Sequence, residues 1–200
     1  EQKPDFDFNY GNLQYFQELH DHRYHVDIHS LPLMRRISHL HQHLVKYSSS
    51  PVKRDQTYPD ALACILSMAN AFNLNITCGF GQNEYAIFTL ADVGQEWTCE
   101  VMVDKYRQAL GRMAKLLEAS DHVENYEYRV KAHSVILELF NLLIQMYKYE
   151  GENSGNTLAT LYVKKIFDLK TKHIFYPHYH TEDLERHPIY HSFNSFITTI

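Results

Sequence analysis

Histidine is the residue type in this chain with the most chemistry to offer: the 200 residues hold 14 of them. His20, His22, His25, His29, His39, His41 and His43 crowd one stretch, and His173, His178, His180, His187 and His191 another. Neutral imidazole binds zinc and related metals, and it is the side chain whose charge changes near neutral pH. His39 and His43 stand four residues apart, one turn along the same side of a helix, where they could grip one ion. His41 falls on the other flank. A zinc centre also needs carboxylate or thiolate partners and groups that orient the ligands. No spacing such as HExxH supplies them. Solvated histidines on a polar face are the plain alternative. In the second cluster, His178 and His180 with Glu182 and Asp183 form another candidate set, although alternating residues of extended chain also face solvent and core by turns.

Other chemistry-bearing residues are sparser. His133 sits on an apolar stripe between Val130 and Leu137 and reads as a neutral, hydrogen-bonded packing residue. Glu138, beside that stripe, and Asp104 or Glu100 on the helix expected to face it are the carboxylates best placed to meet in a bundle interior. Their ordinary alternative is an exposed helical charge. There is no GxSxG elbow and no cysteine at a motif spacing from a histidine. Gly79-Phe80-Gly81 lacks a third glycine and leads into an extended run, so a phosphate loop is not expected.

These residues need a fold to position them. An apolar fraction of 44%, a charged fraction of 22% and only 7 Gly and 6 Pro describe a chain that folds. The formal charge is −5, and the nearest thing to a basic patch, Lys164, Lys165, Lys170 and Lys172, is interrupted by Asp168. Nucleic acid and anionic membranes are therefore not expected partners. Protonation of most histidines at about pH 5 to 6 would reverse the net sign. Cys64, Cys78 and Cys99 form neither a CxxC pair nor an even framework, which predicts free thiols in a reducing compartment. The acidic, aromatic N-terminus lacks the layout of a signal peptide. The apolar stretch from Val135 to Tyr147 is broken by Glu138, Asn141 and Gln145, so no bilayer span is expected. A cytoplasmic protein follows from these readings.

From Asn12, Leu13, Phe16 and Leu19 recur at helical spacing and predict a first helix that fades in the charged stretch 20–27. Ser30 is placed to cap a second helix with Pro32 in its first turn, and Leu33, Ile37, Leu40 and Leu44 give it a one-sided stripe. A polar linker over 48–57 follows. The third helix begins near Tyr58 or Pro59, and Leu62, Ile65, Leu66, Met68, Ala69 and Phe72 cover most of its circumference, which predicts a central position. Gly79, Gly81, Tyr85, Ile87, Phe88 and Leu90 predict a small β-hairpin within 76–90. Two long helices come next, over 97–120 and 126–149. Their stripes are Cys99, Met102, Tyr106, Leu110, Met113 and Leu117, then Val130, His133, Leu137, Phe140, Ile144 and Tyr147. The short link 121–125 makes them antiparallel neighbours. A shorter helix over 157–169 completes a domain of residues 1–170, and an irregular aromatic, His-rich tail, 171–200, packs on it. The predicted fold class is mainly α, an antiparallel helical bundle that self-associates through an apolar helical face.

Within 13–76, the short aromatic helix, the His29-Ser30-Leu31-Pro32 turn, the long second helix and the run Asp60-Ala-Leu-Ala-Cys-Ile-Leu-Ser-Met-Ala-Asn-Ala-Phe-Asn-Leu-Asn-Ile76 resemble the MazG-like all-α nucleotide pyrophosphohydrolases. The resemblance implies a four-helix core, usually oligomeric, that hydrolyses nucleoside triphosphates to monophosphates with magnesium. The family holds magnesium on an ExxE pair of the second helix and an ExxD pair of the third, through hard carboxylate oxygens. Asp60 matches the last position of the second pair. Arg36, Ser38, His39, His41, His43 and Thr57 stand where glutamates are expected, and imidazoles suit magnesium poorly. The resemblance thus implies an altered or lost activity.

Three functions follow, in order of preference. The missing carboxylates and abundant Tyr, Phe and His favour a non-catalytic scaffold or partner-binding protein, since aromatic residues are enriched at interfaces. The alternative is a metal-dependent nucleotide pyrophosphohydrolase with magnesium at Asp60. Last comes a zinc-type centre on His39 and His43.

Overall fold

The computed structural model describes residues 10–49, 54–76, 97–151 and 157–172. Among the described residues the chain forms seven helices: α1 (Tyr10–Tyr24), α2 (Val26–His29), α3 (Leu33–Ser49), α4 (Arg54–Ala71), α5 (Cys99–Asp121), α6 (Tyr128–Gly151) and α7 (Leu158–Lys172). The chain is thus mainly α. The hairpin expected within 76–90 lies outside the described residues, apart from Ile76, and so does the expected tail beyond Lys172.

Helix α4 is the hub, because it packs against α1, α3, α6 and α7. Leu62, Ile65, Leu66, Met68 and Ala69 are fully buried on it. Burial on several sides is what its nearly continuous apolar circumference predicts. The most extensive pairing is α5 with α6. Cys99 Sγ meets Glu150 Oε1, Arg112 meets Glu138, and the Tyr128 hydroxyl donates to Ala119 O at 2.9 Å. Those pairs run in opposite directions along the two helices, so the two are antiparallel. The same test makes α1 and α4 antiparallel: Gln14 reaches Leu74 and Asp21 reaches Ser67.

Four local expectations change. First, α1 runs on to Tyr24 because its polar residues are held by other helices: Gln14, Gln17 and Asp21 are buried and hydrogen-bonded. Second, Ser30 closes α2 rather than opening α3. Its N–H bonds Val26 O, and the first bond of α3 runs from Arg36 N–H to Pro32 O. Third, α4 starts at Arg54, which leaves Pro59 inside the helix. The neighbouring Tyr58 fixes this turn, with its ring edge-on to Tyr147 and its hydroxyl donating to Glu150 Oε2 at 2.7 Å. Fourth, the buried face of α6 is Ala132, Val135, Ile136, Leu139, Phe140, Leu142, Leu143, Met146 and Tyr147, while Val130 is 66% exposed. A helix wedged between α5 and α4 buries a broader arc than one seam, and its centre is rotated from the stripe through Val130 and His133.

Two helix ends share one geometry. After α4, Leu74 N–H bonds Ala69 O with Asn73 at φ 53°, and after α5, Glu124 N–H bonds Ala119 O with Val123 at φ 54°. Both are left-handed caps, a conformation usual for glycine or asparagine and strained for a β-branched side chain.

Candidate functional site

A cavity of about 280 Å³ opens where α1, the α2 turn, α3, α4 and α7 come together. His39 and His43 from α3 and Asp60 from α4 all line it. Helical spacing sets the first two on one face, with ring centroids 4.6 Å apart. The antiparallel course of α4 brings Asp60 opposite them. Its Oδ1 lies 3.4 Å from Lys165 Nζ on α7, a cation that also lines the cavity. Leu40, Ala63, Cys64 and Ile166 supply apolar surface between the polar groups.

One wall is a buried polar chain that sequence reasoning missed. Asp21 Oδ2 accepts from Ser67 Oγ at 2.6 Å and faces Arg36 Nη2 at 3.5 Å, and Asp21 Oδ1 accepts from Gln17 Nε2 at 2.8 Å. Gln17 Oε1 in turn accepts the Tyr162 hydroxyl at 2.8 Å. Arg36 also donates to Ser67 Oγ, and Glu18 lies 3.8 Å from it. Four helices thus share one network. Burial pushes the Asp21 carboxyl above the usual carboxylate range, and the hydrogen bonds from Ser67 and Gln17 and the Arg36 charge pull it only part of the way back. Nothing local signals this partnership, because Ser67 lies 46 positions from Asp21 in the chain. Polar residues at helical spacing with the apolar Leu13 and Phe16 were the one available sign.

The histidine wall has a different character. His43 is lowered from its ordinary value by burial first, then by His39 and Lys46. Its Nδ1 faces Lys46 Nζ and the Tyr47 hydroxyl, each at 3.5 Å. His25 and His29 complete the rim, and His29 Nε2 meets Glu18 Oε1 at 2.8 Å. Burial also pushes the Cys64 thiol far up, helped by Asp21 and Asp60. A thiol held protonated is a poor nucleophile, so this cysteine is part of the wall rather than a reactive centre.

The remaining candidates lie elsewhere, and none of the four lines this cavity. Glu100 is an exposed residue in the first turn of α5. Asp104, also exposed, accepts from Gln108 at 2.7 Å, and Glu138 pairs with Arg112. His133 Nε2 bonds Phe72 O at 3.0 Å, joining α6 to the end of α4. His41 similarly reaches Leu110 O at 3.0 Å, tying α3 to α5. These two imidazoles bond backbone carbonyls, while the carboxylates stay on the α5–α6 surface.

The donor set does not fit magnesium. Magnesium takes hard oxygens in near-octahedral geometry. The cavity's two carboxylates already face Arg36 and Lys165, and its opposite wall is imidazole. For a zinc-type ion, His39 and His43 make two donors where three or four are needed. Among the described residues no group of three His, Cys, Asp or Glu side chains is arranged to hold a metal. Among the same residues no helix is long and apolar enough to cross a membrane. Comparison with protein-family models, with curated proteins and with solved structures gives no match to this chain. The resemblance of residues 13–76 to the MazG-like bundles therefore rests on the sequence features themselves.

Proposed function

We propose that the chain is a non-catalytic helical binding protein, a diverged MazG-like bundle whose pocket between α1, α3, α4 and α7 takes a small molecule. One observation carries the reading: His39, His43 and Asp60 line one cavity whose carboxylates already face cationic partners. Metal-dependent hydrolysis of a triphosphate needs carboxylates available to the metal, whereas binding needs only a shaped cavity with a few directed polar groups. A reducing, cytoplasmic setting suits the free thiols.

The test measures stabilisation and turnover together. The full chain is incubated with nucleoside mono-, di- and triphosphates and small organic acids, each with magnesium or manganese. Binding shows as a rise in Tm, since a ligand at 100 times its Kd contributes about 2.7 kcal/mol. At least one compound is expected to stabilise the chain with no release of phosphate or pyrophosphate. Release that disappears in D60N would overturn this reading in favour of the pyrophosphohydrolase, the alternative supported by Asp60 at the cavity wall.

The partner-binding part has its own support. Leu33 and Val123, 42% and 88% exposed, border one surface groove with Met34 and Phe72. Self-association through this end is tested by native mass spectrometry, where a strictly monomeric chain would count against it.

A further inference from the structure

We propose that the pocket's ligand is a small organic anion, its carboxylate or phosphate head held at the His39–His43 wall and its apolar body lying on Leu40, Ala63, Cys64 and Ile166. This rests on the small-molecule reading above and gives it a ligand class. Size comes first. A cavity of about 150 Å³ holds benzene, so one of about 280 Å³ has room for roughly a dozen heavy atoms. That suits an aryl or alkyl acid better than a whole nucleoside triphosphate.

Charge decides the head. Arg36, Lys46 and Lys165 are the fixed cations around the cavity, and Asp21 and Asp60 are the carboxylates that line it. Arg36 is held by Asp21 and Lys165 by Asp60. His29 has Glu18. Around His43 stand His39 and Lys46 from its own helix, His25 beside α2 and Asp60 from α4. From α1, His20 and Asp21 face the same space, and from α5, the buried Tyr106 lies near Cys64. Each proton taken up by this wall therefore adds positive charge that Asp60, already bonded to Lys165, offsets only in part. His43 is lowered first by burial and then by repulsion from His39 and Lys46, so a proton there lacks a full counter-charge. An anionic head seated between the rings removes the repulsion and accepts their N–H donors, so binding takes up protons.

Calorimetry on the full chain tests this with four probes: phenyl phosphate, phenylacetate, inorganic phosphate and neutral 2-phenylethanol. The two organic anions are expected to bind at about pH 6 and to weaken by about tenfold or more at about pH 8, where imidazoles lose their protons. The tighter of the two identifies the head group. H39Q/H43Q, at two half-buried positions and checked for folding by its Tm, is expected to lose that pH dependence. Equal binding of 2-phenylethanol, or anion affinity that ignores pH, overturns the anion class while leaving a small-molecule pocket. Inorganic phosphate binding as tightly as phenyl phosphate overturns the role given to the apolar body. No binding by any probe at either pH overturns the anion class, and the small-molecule reading falls with it if the wider panel of nucleotides and organic acids also gives no rise in Tm.

Discussion

Val123 holds a left-handed backbone at φ 54° while 88% of its surface faces solvent, so the strain is not repaid by packing. A non-glycine residue in this region costs about 1–3 kcal/mol, and V123G should raise the unfolding free energy by about 1 kcal/mol, measured by urea denaturation. Asp21 is the opposite case, a side chain bonded on every side. D21A would strip Arg36 of its buried counterion and orphan Ser67 and Gln17, and it should cost about 3 kcal/mol or more in the same measurement. How far such a residue is legible follows from its partners. His39 and His43 are four apart, so their shared face is visible in the sequence. Asp21, Arg36 and Lys165 are matched only when four helices meet, and no spacing rule reaches that far.

The helices were legible where apolar spacing persisted over many turns, as in α5 and α6, whose expected bounds fall within a few residues of Cys99–Asp121 and Tyr128–Gly151. Orientation was less legible than extent. The histidine on the α6 stripe drew the expected seam toward Val130, yet His133 is half-buried because its ring caps the Phe72 carbonyl at the end of α4. The last carbonyls of a helix lack partners within it, so H133A should cost about 1 kcal/mol by urea denaturation while leaving the far-UV circular dichroism unchanged. The hub is less forgiving. L66A, at a fully buried position of α4, should cost about 2–5 kcal/mol, seen as a large drop in Tm. A nearly continuous apolar circumference announced that role in the sequence; the added first turn before Pro59 did not announce itself, because proline is the usual mark of a helix start.

For the molecule as a whole, half-buried His43 and buried Asp21 pull stability in opposite directions with pH. His43 is lowered in the folded state, so the unfolded chain takes up its proton first. Its contribution is fully present above the ordinary value of 6.5 and is lost as pH falls through the folded value. The protein should therefore weaken on acidification from neutrality in anion-free buffer, and H43Q should flatten that part of the urea-midpoint profile. Asp21 is raised, so its contribution is fully present below the ordinary value of 3.8 and fades as pH rises through the folded one. The two contributions change in opposite directions with pH, and comparing the H43Q profile with that of the unsubstituted chain isolates the part due to His43.

The Tyr162 hydroxyl reaches back to Gln17 and Leu13, and Lys165 on the same helix closes the cavity opposite α3. During synthesis on the ribosome, everything up to α6 can emerge and collapse while that side of the chamber is still missing. A nascent chain halted before residue 158 would present an unfinished cleft with Gln17 looking outward, and only the arrival of the last described helix would seal it. Binding in the proposed pocket would thus require α7 to be in place.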